Sequence, residues 1–375
     1  MKERHLHIVT HDIPWPADYG GVIDLFYKLK TLHARGVLIH LHCFTQGRKP
    51  QDELNKYCYS VTYYQRQKNI FHFSFRLPFI VKSRNSRLLI NNLKKDDYPI
   101  LLEGIHCSYH LFKGELADRK VFVRLHNVEF IYYRQLARNE SNLLKRLYFL
   151  HESRLLRKYE AAVANKAVFI AVSEPDADIY RHLFDCQHIH YLPVFIPYAL
   201  INIKKGKGSF CLYQGNLCVN ENEKAVAWLL QNVFNDLDIP LVIAGKDPSK
   251  KLKDMIQKQP QSSLVPNPSE TNLQELIANA HINILPSFNN TGVKLKLINA
   301  IFNGRHCIVN EEGVAGSGLE PACHLASDAT SFRNTLVQLY QIEFTEKELE
   351  RRNSLLQRLY DNETNAIKLL SIIDD

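Results

Sequence analysis

Nowhere in the 375 residues do about 18 apolar residues follow one another, so a membrane-spanning helix is not expected. Met1 to His11 carries charges where an export signal needs an apolar run, so a cytoplasmic location is expected, with or without a peripheral contact at the inner face of the membrane. None of the eight cysteines (Cys43, Cys58, Cys107, Cys186, Cys211, Cys218, Cys307, Cys323) belongs to a Cys-x-x-Cys pair, and several lie inside apolar runs. They read as reduced core residues of a cytosolic protein, not as a disulfide framework or a zinc site. Zinc-finger spacing, an RNA-recognition signature and aromatic–basic repeats are also missing, which ranks nucleic acid last among partners. No repeat of solenoid period occurs.

What is present is ordinary globular usage, 45% hydrophobic and 23% charged, which argues against long disordered stretches. A chain of this length is expected to form two domains. The net charge of +8 is uneven. Residues 1–200 hold 29 Lys/Arg against 19 Asp/Glu, a balance of +10, and residues 201–375 hold 18 against 20, a balance of −2. A basic first half suits a phosphorylated substrate or an anionic membrane surface, and equally suits solvated helix faces.

Short β-branched runs alternate with helical patterns, the signature of parallel α/β sheets. Strands are expected at 5–10, 38–44, 60–64, 100–103, 121–124 and 167–172, and again at 210–213, 241–244, 282–285 and 306–309. Helices fit at 22–34, 141–162, 221–235, 249–258, 271–280, 293–302, 346–359 and 363–373. Residues 193–208, with two prolines, two glycines and a basic run, read as a linker between domains 1–200 and 201–375.

Four motifs carry chemistry. The strand His5–Thr10 runs into a loop that ends in Gly20-Gly21 at a helix start, where backbone N–H groups and the helix dipole favour an anion such as a diphosphate. A glycine pair also serves turn geometry alone. The strand at 121–124 ends in Arg124-Leu125-His126-Asn127-Val128-Glu129, so Arg124, His126 and Glu129 sit where open α/β sheets bind ligands. Helix capping by Asn127 is the plainer reading of part of that run. Glu103 and His106 end a neighbouring strand in the same way.

The second half opens with a strand ending in Gly215-Asn216, with Asn222 at the next helix start. The most specific motif is Thr291-Gly292-Val293-Lys294-Leu295-Lys296, read as the start of a helix that carries Asn299 and ends at Gly304. Two lysines in the first turn oppose the dipole unless an anion is bound, and at most one faces the ligand. The Asp176-x-Asp178 pair follows Ser173 as a helix cap, so no metal site is expected there.

At these residues the chain resembles the retaining glycosyltransferases of the GT-B fold, in the large family 4 that builds bacterial capsules and lipopolysaccharides. The resemblance covers essentially the full length. It implies an α/β fold of two Rossmann-like domains with parallel sheets facing a central cleft, closed by C-terminal helices. The first would bind the acceptor and the second the donor. It implies transfer of a sugar from a nucleotide diphosphate donor, a UDP- or GDP-sugar, to a glycan or lipid-linked acceptor. No separate cofactor and no metal are implied. Gly20, Gly21, Gly215, Asn216, Thr291, Gly292, Val293, Lys294, Lys296 and Asn299 would line the donor, with His126 near the transferred sugar and Glu103 at the acceptor. The chain departs from the family in having Asn216 and Asn222 where a basic pair is common, and Asn299 where a ribose-binding Glu is usual. A catalytically silent sugar-nucleotide or partner-binding protein and a nucleotide-sugar epimerase on the same fold remain alternatives. The helix 141–162 and the segment 75–88 interleave basic and apolar residues. They read either as core helices with wet faces or as a peripheral contact with an anionic membrane.

Overall fold

The computed structural model describes residues 3–67 and 74–375, so the first two residues of the charged N-terminal stretch lie outside the described residues. The chain divides into two compact units, Met1–Pro197 with Tyr360–Asp375, and Tyr198–Leu359. The first contains strands β1 Arg4–Thr10, β2 Val37–Thr45, β3 Ser60–Gln65, β4 Ile100–Glu103, β5 Val121–Leu125, β6 Val168–Ala171 and β7 Ile189–Tyr191. Its helices are α1 Gly20–Ala34, α2 Phe79–Lys82, α3 Arg87–Leu93, α4 Tyr109–Phe112, α5 Glu129–Asn139, α6 Leu143–Val163 and α7 Glu174–Phe184. All strand pairs are parallel, in the order β3-β2-β1-β4-β5-β6-β7. The order reverses at β1 and β4, where Thr10 pairs with Glu103.

The central strands are apolar on both faces, as a sheet covered on both sides requires. Ile8, Leu41, Leu101 and Phe122 face α1 on one side, and Val9, Leu102, Val123 and Phe169 face a second cluster with Leu156 and Tyr180 on the other.

The second unit repeats the plan with β8 Cys211–Asn216, β9 Leu241–Lys246, β10 Ser262–Pro266, β11 Ile282–Ile284, β12 His306–Val309 and β13 His324–Leu325. These form a parallel sheet in the order β10-β9-β8-β11-β12-β13. Helices α8 Asn220–Asn232, α9 Lys250–Gln257, α10 Glu270–Asn279, α11 Leu295–Asn303, α12 Glu311–Val314, α13 Ala329–Tyr340 and α14 Glu346–Tyr360 follow, and α15 Asn362–Asp374 ends the chain.

The boundary expected at residue 200 misplaces α15. Ala366, Leu369, Leu370 and Ile373 recur at the spacing of one helical face and join the core around α1. Arg4–Asp374 and Arg35–Glu363 ion pairs and the Ile196 N–H donated to Asn362 Oδ1 hold the helix there. The segment read as a linker is docked too. Asn202 N–H donates to Phe302 O, Gly206 bridges Phe344, and Lys204 and Lys205 reach Asn279 and Glu346, all within the second unit.

Candidate functional site

In the second unit, β8, β11 and β12 end in loops on one edge of the sheet. β8 runs on through Gly215 to Asn216, three residues past the strand end expected at 213, so the glycine lies in the strand and not in the turn after it. Gly215 leaves room for Asn222, whose side chain a Cβ there would meet at a tight 3.3 Å. Asn222 is a hub. Its Nδ2 donates to Asn216 O at 2.8 Å, and its Oδ1 accepts from Lys296 Nζ at 2.9 Å and from Tyr213 Oη at 3.2 Å. Lys296 also donates to Tyr213 Oη at 3.2 Å and lies over its ring. Burial pulls the Lys296 amine down to about 8, against the upward pull of Glu221.

Helix α11 starts at Leu295, so Thr291, Gly292 and Val293 belong to the loop before it and not to its first turn. Gly292 has φ +65°, a left-handed conformation that suits glycine, and this breaks the helical path. Thr291 N–H and Oγ1 both donate to Asn289 Oδ1, at 2.8 and 2.7 Å. Lys294, the N-cap residue, folds back to donate to the carbonyls of Thr291 and Gly292 at 2.6 and 2.9 Å. The two lysines therefore part as their spacing requires. Lys296 turns into the polar hub and Lys294 onto its own loop.

Among the described residues no side chain caps α11, and no acidic residue stands in its first turn. Ser287 and Asn289 donate to Glu221, at the start of α8, at 3.4 and 3.2 Å, which ties the loop after β11 to the loop after β8. Two expected donor residues are engaged internally. Asn299 is buried with its Oδ1 taken by Asn303 at 2.8 Å, and Asn216 Oδ1 accepts from Cys218 N–H.

In the first unit, the ends of β1, β4 and β5 gather three histidines. His11 stacks on His106 at 5.1 Å between ring centroids and meets His126 edge-on at 6.4 Å. Gly104, at φ +82°, is needed beside His106, since a Cβ would stand 2.8 Å from its Nδ1. Nδ1 of both His11 and His106 is buried with no hydrogen-bond partner among the described residues. Burial, with Arg84 and His126 adding to it, pushes His11 down to about 3, and His106 falls well below its usual range for the same leading reason. Arg84 is itself buried and donates to His11 O and Gln46 Oε1. Helix α1 begins beside them at Gly20, with no acidic residue in its first turn and no side-chain cap among the described residues.

Behind the histidines lies a buried charge network. Asp24 and Lys28 share one face of α1, four residues apart, at 3.0 Å. Lys28 also pairs with Glu103 at 2.7 Å. Arg124 donates to Asp24 Oδ1 at 3.2 Å and to the carbonyls of Leu192 and Pro193. His126 is hydrogen-bonded to Glu103 Oε2 at 3.1 Å, and its Nδ1 faces Asp24 Oδ2 at 3.8 Å. Asp24, Lys28, Glu103 and Arg124 are all 0% exposed. Arg124 and Glu103, read from sequence as cleft residues, are thus internal, with every charge directed at another protein group.

Glu129 is buried as well, in the first turn of α5, and burial with Glu160 nearby raises its carboxyl to about 8. Glu160 itself caps α5, accepting from the N–H groups of Glu129 and Phe130 at 3.0 Å each, the task that sequence alone suggested for Asn127. Ser173 caps α7 as expected, accepting from Asp176 N–H.

Residues 209–341 match the family model for group 1 glycosyl transferases. Over 335 residues the chain is 30% identical to an uncharacterized 44.6 kDa protein in the cps region of Klebsiella pneumoniae, covering 83% of this chain and 84% of that one. The chain belongs to the group 1 glycosyl transferases. Among solved structures, the transferase is similar to sucrose-phosphate synthase from Thermosynechococcus elongatus, with a TM-score of 0.71 and 15% identity over 99% of this chain and 98% of that one. A glycosyltransferase from Rickettsia africae gives a TM-score of 0.68 at 13% identity, over all of this chain and 98% of that one. These neighbours show the GT-B fold.

Sequence reasoning missed His11, Lys28 and Asp24 in the transferase. His11 had a usable signal, since it directly follows β1 as His126 follows β5. Asp24 and Lys28 had none, because an i,i+4 acid–base pair reads as a solvated helix face.

Proposed function

We propose that this transferase moves a sugar from a UDP- or GDP-sugar to a glycan or lipid-linked acceptor in cell-surface polysaccharide synthesis, with retention of configuration and without a metal at the diphosphate. The observation that carries the proposal is Lys296. A partly buried amine in the first turn of an uncapped helix is opposed both by burial and by the dipole, and its contacts at hydrogen-bond distance are the neutral Asn222 and Tyr213. An anion at the helix start relieves both penalties. Breaking the bond between the anomeric carbon and the phosphate leaves negative charge on the diphosphate, and a fixed cation with helix N–H groups stabilises that charge. The relative from a Klebsiella pneumoniae cps region supports a place in polysaccharide synthesis.

In this reading the loops at Gly215–Asn216 and Ser287–Val293 hold the donor, with Lys296 at its phosphates. Gly20 and Gly21 offer the N–H groups of α1 to an anion. His126, with its ring nitrogens turned inward to Glu103 and Asp24 and its side chain 16% exposed, offers only its exposed edge to the sugar, beside His11 and His106. Glu103 is a positioning residue that fixes the His126 ring and does not touch the acceptor. His126→Ala is expected to lower kcat by about 10²-fold with nucleotide affinity little changed, since a displaced sugar loses the reacting geometry. Unchanged turnover would remove His126 from the site. The proposal itself is tested by product analysis with UDP-, GDP-, CMP- and dTDP-sugars, with and without EDTA, and by proton NMR of the new linkage. Transfer with retained configuration in EDTA supports it; interconversion of the donor, or binding alone, overturns it.

We also propose that α6 meets an anionic membrane that carries the acceptor. No helix among the described residues is long and apolar enough to cross a membrane. Yet Leu143, Leu144 and Leu147 are 66%, 78% and 54% exposed at the start of α6, among exposed Lys145, Arg146, Arg154, Arg157 and Lys158. The far half of the same helix is ordinary core, burying Leu155, Leu156 and Tyr159. Exposed leucines among basic residues match an interfacial helix. Sedimentation with phosphatidylglycerol vesicles is expected, lost in 0.5 M salt as charge screening requires (a Debye length of roughly 4–5 Å), and weakened by Leu143→Ser with Leu144→Ser. Equal binding to neutral vesicles removes the idea.

A further inference from the structure

At the opposite edge of the second sheet, where its strands begin, a cluster of side chains has no part in the transfer reaction. His306 opens β12 and His324 opens β13, on paired parallel strands, and Glu348 stands in the first turn of α14. One metal-ligating atom from each lies within 4.8 Å of the other two.

The hydrogen bonds fix what His306 presents. It is 0% exposed, and its Nε2 is 3.0 Å from Ile342 O, which can only accept. The proton is therefore on Nε2, and the neutral ring turns the Nδ1 lone pair toward Glu348. That lone pair is buried and has no hydrogen-bond partner among the described residues. Facing it at 3.7 Å is Glu348 Oε1. The other carboxylate oxygen, Oε2, accepts from Thr345 N–H at 2.9 Å and from Thr345 Oγ1 at 3.2 Å, which holds Glu348 in place.

Two acceptors therefore face each other with nothing to donate between them, an arrangement that costs free energy until a cation enters. A second proton on Nδ1 would place full charge on a buried ring whose neighbours, His281 and His324, lie 5.2 and 5.5 Å away. A metal ion needs no protonated ring. We propose that His306 Nδ1, His324 and Glu348 Oε1 bind a divalent transition-metal ion of the zinc type, which pins α14 to the sheet edge.

Three features match such a site. Two ligands of a tetrahedral zinc stand about 3.3–3.5 Å apart when each is about 2.0–2.1 Å from the ion, so the pair at 3.7 Å needs only slight closure. A ligating histidine commonly donates its other N–H to a backbone carbonyl, as His306 does to Ile342. Two imidazoles with one carboxylate favour zinc over calcium or magnesium, and the 33% exposure of the Glu348 side chain gives a route for the ion and a fourth, water ligand. Asp24, Glu103 and His126 are equally close together, but Lys28 and Arg124 pair directly with those carboxylates, whereas Arg352, whose charge His324 feels, donates to Gly304 O and forms no ion pair with Glu348 among the described residues.

The test is equilibrium dialysis of the full chain against zinc chloride, with metal analysis and thermal unfolding. One zinc per chain is expected, and a melting temperature higher by roughly 5–10 °C at about a hundredfold excess over Kd. Cobalt(II) in its place should give the visible bands of a tetrahedral site. Glu348→Gln and His324→Asn, both partly exposed positions, should each abolish binding and the shift. Exposed His190→Asn should change neither. EDTA should lower the melting temperature without lowering the initial rate of sugar transfer well below it. Absence of bound zinc, or binding that survives both ligand substitutions, overturns the proposal.

Discussion

Lys28→Met is expected to destabilise the first unit by about 3–5 kcal/mol, the usual result of removing one partner from a fully buried charge network. Lys28 is the amine shared by Asp24 and Glu103, and all three are 0% exposed. Without it Asp24 keeps Arg124, but among the described residues the Glu103 carboxylate keeps only His126. Burial pushes both carboxyls up. Arg124 and Lys28 overrule it at Asp24, and Lys28 and His126 overrule it at Glu103, so both native values lie below the ordinary 3.8 and 4.5. A carboxyl depressed in the native state contributes stability that is present above its unfolded pKa and is lost as pH falls through the native one. Removing Lys28 raises Glu103, so acid unfolding of the variant should begin at higher pH. Trp15 lies in the first unit and Trp228 in the second, so Trp228→Phe leaves one fluorophore to follow urea unfolding of the first unit. Adding Glu103→Leu to Lys28→Met removes the unpaired charge and should recover most of the loss. A single variant as stable as the wild type, or a double variant no better than the single, would show that the network does not act as a unit.

That network also marks where the sequence stopped being informative. The central strands were legible because runs such as Ile8-Val9 and Leu101-Leu102 are buried on both faces, and hydrophobic continuity is the signal such strands emit. The edge strands β7, β10 and β13 were not, since Ile189-His190-Tyr191, Ser262–Pro266 and His324-Leu325 are short and half-wet. Strand–loop–helix grammar, which is local, put Gly20-Gly21 at the start of α1, but it opened α11 at Thr291, where the left-handed Gly292 delays the helix to Leu295. The roles of Arg124 and Glu103 were misread because their partners on α1 stand 100 and 75 residues away, and no local pattern encodes that meeting. Helix α15 shows its apolar face in sequence, but nothing local tells which core that face completes. His126 was placed correctly at a strand end, while the inward turn of its ring toward Glu103 depended on the same distant packing.

Lys296→Met is expected to lower kcat by about 10²–10³-fold, the loss that follows removal of one preorganised donor from a developing negative charge. Methionine keeps the length and apolar stem and loses only the ammonium. The wild-type pH profile should carry the same signature. Burial brings the free amine down to about 8, so at neutral pH it is mostly cationic, and kcat/KM should fall as pH rises through about 8. A bound diphosphate favours the charged amine, so the corresponding limb of kcat should lie at higher pH. In Lys296→Met this alkaline limb should disappear. Lys294→Met supplies the contrast: its amine is spent on the carbonyls of Thr291 and Gly292, and its loss should change kcat less than about tenfold, below the effect of an oxyanion donor. A purely structural lysine predicts something different. If Lys296 only braces Asn222 and Tyr213, its substitution lowers the melting temperature of the second unit and leaves turnover per folded molecule and the alkaline limb as they were. That outcome would remove the cation from the leaving group and, with it, the observation on which the transfer mechanism stands.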